Sequence, residues 1–313
     1  MFKRYIYILI ALLGVPGMAS AQYDPYFSHY FDMETSFNPA TVGKLPELHV
    51  VGAYAMNFAG FENNPRTMFL SADVPFYALK SYQGAGATMT NDQIGAMTHK
   101  RFNAEYAYSF KLLGGQLRAG IQAGMISEGI DFSKMKAEDS NDPVFNGGSD
   151  QNGTALDLGA GLYYMHGPWY VGASALHLTA PEVEIGERNT FKVDATYYLT
   201  GGYNIQLRNP FLSVKPSFLV RTDGTSYRAD VTGRLEYHYD KKFFYGGVTY
   251  SPTVSFTVLA GGSFHGIIVG YSYEVYTHTL SMGNGSHELF VGYKTDINLV
   301  KKGKNRHQSV RIL

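Results

Sequence analysis

Ser286, His287 and Glu288 stand side by side near the end of the chain, and with His265 and His278 they supply the side-chain types of a hydrolytic or metal-binding centre. Such chemistry also needs a spacing: two histidines one helical turn apart around a glutamate for zinc, or a serine on a glycine-flanked elbow for acyl transfer. Neither pattern surrounds these residues, and no phosphate-cradling glycine loop occurs. Convergence of serine and histidine from separate strands is the one route to hydrolysis that spacing leaves open. Asp131, Asp139, Asp142 and Asp150 share one polar stretch, but not at the intervals of an EF-hand, and read as a solvated loop. Cysteine is absent, which removes disulfides, thiol catalysis, cysteine-ligated zinc and a lipoprotein anchor. The expectation is a chain without catalytic residues, metal or cofactor.

A larger set of charges is spaced more regularly. Glu105, Arg118, Asp157, Lys192, Asp194, Lys215, Arg221, Arg228, Asp230, Arg234, Glu236, Glu274 and Glu288 fall at positions that alternate with apolar ones. On the inner face of a closed sheet they line a lumen, where one sign of charge would make a selectivity filter. Both signs are present, and a charge taken from water without a partner is costly, so pairing across the lumen is the preferred reading.

Such a face demands long strands with two distinct sides. From Phe191 to Leu207 the odd positions are Phe191, Val193, Ala195, Tyr197, Leu199, Gly201, Tyr203, Ile205 and Leu207. Between them lie Lys192, Asp194, Thr196, Tyr198, Thr200, Gly202, Asn204 and Gln206. A period of two puts one set on each face of a strand. Tyr227 to Tyr239 repeats the pattern. Strands of this length exceed the ~5 to 6 residues usual in soluble sheets and match the ~9 to 11 tilted residues that cross a bilayer.

The composition agrees. The 313 residues include 35 glycines, 25 tyrosines and 20 phenylalanines, with 17% charged residues against a usual ~25%. Aromatics at the interfaces and little charge outside are what a transmembrane barrel needs. The zero net charge gives no attraction to nucleic acid.

Fourteen segments carry the pattern: 48–58, 67–74, 84–91, 101–111, 116–128, 154–165, 169–178, 191–207, 212–221, 227–239, 243–250, 254–264, 267–276 and 287–296. An all-β fold follows, a transmembrane antiparallel barrel of about fourteen strands over residues 48–297. Tight connections such as Leu113-Gly114-Gly115 and His265-Gly266 alternate with longer ones such as Asp131 to Gly153, the exception being Ser251-Pro252-Thr253. Bacterial barrels keep short turns in the periplasm and long loops outside, which predicts periplasmic chain ends.

Residues 1–21 read as a signal peptide, with Lys3 and Arg4 before an apolar run and Ala19-Ser20-Ala21 as cleavage site. Beyond it no run of about 18 apolar residues suggests a membrane helix. Residues 22–47 are too irregular for a strand and too apolar for plain disorder, and are expected in the lumen or at the periplasmic rim. Tyr23, Asp24, Pro25, Phe27, Tyr30, Asn38 and Pro39 make this the candidate partner-docking or plug segment. Residues 298–313 form a basic tail. Trp169 with Tyr163, Tyr164, Tyr170, Tyr245 and Tyr250 read as interfacial anchors.

Several words in the sequence resemble the PorP/SprF family, membrane proteins of the type IX secretion system of Bacteroidetes. They are the opening Gln22-Tyr23-Asp24-Pro25-Tyr26-Phe27-Ser28-His29-Tyr30 with Asn38-Pro39-Ala40 and Gly43, Pro65-Arg66-Thr67 with Ser71-Ala72-Asp73-Val74-Pro75, Gly159 to Tyr164 with Gly172-Ala173-Ser174 and His177-Leu178, and the closing Gly285-Ser286-His287-Glu288-Leu289. Where relatives carry Arg-x-x-Trp on the first hairpin, this chain reads Asn57-Phe58-Ala59-Gly60-Phe61. The resemblance implies an outer-membrane barrel without enzymatic activity, linked to protein secretion and gliding motility. Its implied partners, beside outer-membrane lipid, are periplasmic secretion components, an exported surface adhesin with a C-terminal sorting domain, or both; a diffusion channel or hydrophobic-solute transporter is the alternative.

Overall fold

The computed structural model describes residues 24–131, 151–185, 189–240, 242–277 and 284–297. Residues 1–23, which hold the expected signal peptide, and residues 298–313 lie outside these. The strands are β1 (Glu47–Met56), β2 (Arg66–Ala78), β3 (Ser81–Ile94), β4 (Met97–Leu112), β5 (Gly115–Ile130), β6 (Gln151–His166), β7 (Trp169–Leu176), β8 (Glu182–Ile185), β9 (Asn189–Lys192), β10 (Thr196–Tyr203), β11 (Ile205–Gln206), β12 (Leu212–Thr222), β13 (Tyr227–Tyr239), β14 (Lys242–Ser251), β15 (Ser255–Phe264), β16 (Ile267–Tyr276) and β17 (Ser286–Asp296). Fourteen of them, β1–β7, β10 and β12–β17, form the wall, and β11 prolongs β10 beyond Asn204. Neighbours pair antiparallel. The ring closes where β1 meets β17, from Glu47↔Asp296 to Met56↔His287, and where β10 meets β12. The closed fourteen-stranded barrel expected from the alternation is thus the observed architecture, and closure pairs each stave with a neighbour on both sides.

Burial alternates along the staves as the side chains do. On β2, Thr67, Phe69, Ser71 and Asp73 are buried inside the barrel, whereas Met68, Leu70 and Val74 are exposed on its outer face. Ile121 and Met125 on β5, Val231 and Leu235 on β13 and Leu289 and Val291 on β17 continue this apolar outer band. A ring of outward aromatics, including Tyr77, Tyr82, Trp169, Tyr237 and Phe264, marks one boundary of the band.

The same end of the barrel carries the tight turns at Leu79-Lys80, Leu113-Gly114 and His265-Gly266, together with the start of β1 and the end of β17. We call it the near end. The far end carries the longer connections, but also two tight ones, Gly95-Ala96 and Pro252 to Val254.

The expected continuous strand 191–207 is a correction. Residues 189–192 leave the wall and pair with β8 in a separate hairpin, the wall resumes at Thr196, and Asn204 breaks the ladder before β11. Alternation survives because the hairpin is itself two-faced: Val183, Ile185 and Val193 are buried with Ile126 of the wall's inner side. The hairpin therefore folds inward over the far mouth.

Residues 24–46 descend through the lumen, with 3₁₀ turns at Glu34–Ser36 and Pro39–Thr41. Phe27 and Met33 pack on Val51, Ala53, Phe69, Ile268 and Phe290. Tyr30 and Phe37 pack on Leu176, Tyr198 and Leu219. Two of the buried apolar clusters are thus contacts between this plug and the inside of its own barrel.

Candidate functional site: the plugged lumen

The plug is held by charged wall residues that reach its main chain and rings. Its most elaborate anchor is Asp24, which accepts from Arg101 Nη1 at 2.5 Å, His177 Nε2 at 3.1 Å and the Tyr198 hydroxyl at 2.5 Å. His177 Nδ1 bonds Asp157 at 2.9 Å. Arg221 donates to the Asp24 and Pro25 carbonyls at 2.8 and 3.2 Å. Burial alone would raise the Asp24 carboxyl, but the facing charges of His177 and Arg101 hold it far below the usual carboxylate range. Burial would lower His177, in the loop leaving β7, yet Asp24 and the hydrogen bond to Asp157 push it up to about 9. A positive ring between two carboxylates is the consistent state.

The second anchor is Glu288, whose carboxylate accepts from Ser28 N at 2.6 Å, His29 N at 3.0 Å and His29 Nδ1 at 2.7 Å. Arg118 is the third. Its Nε donates to the Ala40 carbonyl at 2.9 Å and its Nη2 to the Val42 carbonyl at 2.5 Å, while Nη1 rests on Ser109 Oγ. Two guanidinium groups cover plug rings instead: Arg228 lies 3.6 Å above Tyr26 and Arg234 3.4 Å above Phe31. Arg228 is neutralised by Asp230 and Glu274 at 3.0 and 2.8 Å, and Arg234 by Glu236 at 3.3 Å, which also meets Lys215 at 2.6 Å. Opposite charges thus meet within the lumen, and charge-assisted bonds in this setting are the strong ones.

Close approach is made possible by glycine. A Cβ added to Gly120 would stand 2.3 Å from Ala40 N, and one on Gly84 1.9 Å from the Val42 carbonyl oxygen. Asn38 fixes the turn between these contacts: its Oδ1 accepts from Ala40 N at 2.9 Å and its Nδ2 donates to the Leu162 carbonyl at 3.1 Å. Pro39 starts the second 3₁₀ turn directly after it.

The remaining expectations resolve individually. Glu105 is buried in the wall and accepts from Thr88 Oγ1 at 3.1 Å. Asp194 is not luminal: it sits beyond β9, its side chain is 62% exposed, and it pairs with Lys192 at 3.0 Å. The local strand to which its parity belongs has left the wall. Tyr163, Tyr170 and Tyr245 are not interfacial anchors. Tyr163 donates to Glu34 at 3.0 Å and stacks on Tyr170, and Tyr245 packs edge-on against His29 and Phe31. Ser286 and His287 face opposite sides of β17: Ser286 is buried against Phe58 N and the Tyr276 hydroxyl, whereas His287 bonds the Tyr271 hydroxyl on the outer side. His265 forms a near-end turn against Phe264. His278, Asp139, Asp142 and Asp150 lie outside the described residues, and among those described no cluster of three or more metal-ligating side chains occurs.

His29, Glu34, Arg101, His177 and Tyr198 are plug contacts that the sequence reading left out of the site. Arg101 shares the parity of Glu105 on β4, so alternation alone was enough to place it inside.

These features define a class: an outer-membrane β-barrel whose lumen is filled by its own N-terminal segment. The chain belongs to the PorP/SprF family, since the model of the type IX secretion system membrane protein PorP/SprF matches residues 19–293. No curated protein sequence matches it. Similar solved structures include a Pseudomonas aeruginosa FadL homologue, with 13% identity, a TM-score of 0.49 and coverage of 83% of this chain and 93% of that one. Another is the monoaromatic hydrocarbon channel CymD, at 12% identity, a TM-score of 0.47 and 90% and 96% coverage. BamA from Haemophilus ducreyi lacking POTRA domains 1–3 follows at 8% identity, a TM-score of 0.41 and 79% and 70% coverage.

Proposed function

We propose that this barrel is a non-catalytic scaffold of the type IX secretion system. Its near end faces the periplasm and docks components of the secretion machinery through the rim and the base of the plug, and its far-end loops receive an exported adhesin bearing a C-terminal sorting domain. The observation that supports this reading over a channel is the filled lumen. A plug bonded to the wall through Arg101, Arg118, Arg221 and Glu288 occupies the lumen, which favours a scaffold with two ends over an open solute path. Deleting the gene tests the reading: display of a sorting-domain substrate is lost and small-solute permeability stays the same. Undiminished display in the deletion strain would overturn it.

A further inference from the structure

At the near end a cavity of about 120 Å³ opens between the base of the plug and strands β1, β2 and β17. Four carboxylates line it, Asp32, Glu34, Glu47 and Asp73, against two lysines, Lys44 and Lys294, a formal charge of −2 from these six groups. Lys44 is committed to Glu34, and Lys294 Nζ stands 3.9 Å from Asp32. No lysine lies within 4.0 Å of Glu47 or Asp73 among the described residues, although Lys44 is close enough to Asp73 to interact with its charge.

Asp73 is only 7% exposed. Its Oδ2 accepts from Gly43 N at 2.8 Å, but Oδ1 has no hydrogen bond, and His49 Nδ1 stands 3.4 Å from it. His49 also lines the cavity, and its buried Nε2 has no hydrogen-bond partner. Buried polar atoms are almost always satisfied, so two orphans just behind the lining of one cavity mark a place where a small side-chain movement would admit an incoming donor. The volume is below the ~300 Å³ where small-molecule sites begin, and near that of an engineered cavity of ~150 Å³ that holds one benzene ring. One flat side-chain head fits. The absence of a metal-ligating cluster among the described residues disfavours a bare cation.

We infer that this cavity is a socket for a single arginine side chain projected by a periplasmic protein partner. A planar guanidinium offers donors in a fixed fork, which matches Asp73 Oδ1 and the rim carboxylate of Glu47, with His49 Nε2 accepting when the ring's proton sits on Nδ1. The inference rests on the docking reading above and names the chemistry that docking uses at the near end.

The test titrates the purified full-length barrel in detergent with Nα-acetyl-arginine methylamide and with its uncharged citrulline counterpart, followed by calorimetry. The arginine probe binds saturably in the millimolar range and at least tenfold tighter than citrulline. The Asp73→Asn/Glu47→Gln double variant, which keeps an acceptor for Gly43 N, loses at least tenfold, with an unchanged heat-modifiable gel shift as the check on folding. Glu47→Gln alone, at the rim, loses about threefold. Equal binding of the two probes, no saturable arginine binding, or an unaffected double variant overturns the socket. In cells the double variant lowers substrate display severalfold at normal barrel abundance. If the deletion strain loses display and the double variant keeps it, the socket fails and the docking reading survives; if the deletion strain keeps it, the docking reading itself fails.

Discussion

Asp24 is the residue on which the plug most depends, because one carboxylate there satisfies Arg101, His177 and Tyr198 while its carbonyl holds Arg221. Removing one partner of a buried charge pair strands the others, at a cost of about 3 to 5 kcal/mol. Asp24→Ala should therefore release the plug and leave the wall intact. Hydrogen exchange of residues 24–44 measures it: protection falls in the variant, whereas protection of β1–β7 does not. The pH window follows from the two shifts. Asp24 is depressed, so its contribution is complete above the ordinary carboxylate value and is lost only as pH drops through its much lower folded value. His177 is raised, so its contribution is complete below its ordinary value near 6.5 and is lost as pH rises through about 9. Plug protection should stay flat from pH 5 to about 6, decline as pH rises from about 6.5 to about 9 and level off above that, and protection that stays flat across the whole range would show that the ring is not held charged. Part of this was legible in the sequence. The inward charges Arg118, Arg221 and Glu288 were marked by parity, but parity says only which face a residue occupies. It could not say that their partners are carbonyls and amides of residues 24–43, because an irregular segment carries no period from which its path can be read.

At the level of elements, the staves were readable because each crosses the bilayer with one apolar and one polar face. Reading failed where that rule is obeyed by something other than a stave. The β8–β9 hairpin alternates as the wall does, with Val183 and Ile185 turned onto Ile126, so the sequence joined residues 191–207 into one strand and carried Asp194 inward with them. Two predictions belong here. Leu70, 51% exposed on the outer face of β2, should tolerate Ala but not Arg, which costs about 2 to 4 kcal/mol near the bilayer midplane; urea unfolding from liposomes reads the difference. Gly120→Val, which drives a side chain into Ala40, should dislodge the plug and leave the barrel folded. The check is protease cleavage between residues 24 and 44 together with an unaltered heat-modifiable gel shift. Resistance equal to the unmodified protein would mean that the segment does not press on that glycine.

The whole molecule is a closed barrel that holds its own N-terminal segment in its lumen, and as proposed above it serves as a platform for proteins at its two ends. Membership of the PorP/SprF family sets this platform in the secretion apparatus of the outer membrane, and the plug gives a physical reason why a barrel wide enough to enclose more than twenty residues need not conduct. The family words at the start of the chain turn out to be the plug itself: Asp24, Asn38 and Gly43 each bond the barrel directly or shape the turn that does. The most direct measurement is single-channel conductance of the purified full-length barrel in planar bilayers, beside Asp24→Ala and Gly120→Val. The account predicts a quiet bilayer with the unmodified protein and defined current steps with both variants. Stable open steps from the unmodified barrel, unchanged in the variants, would contradict it.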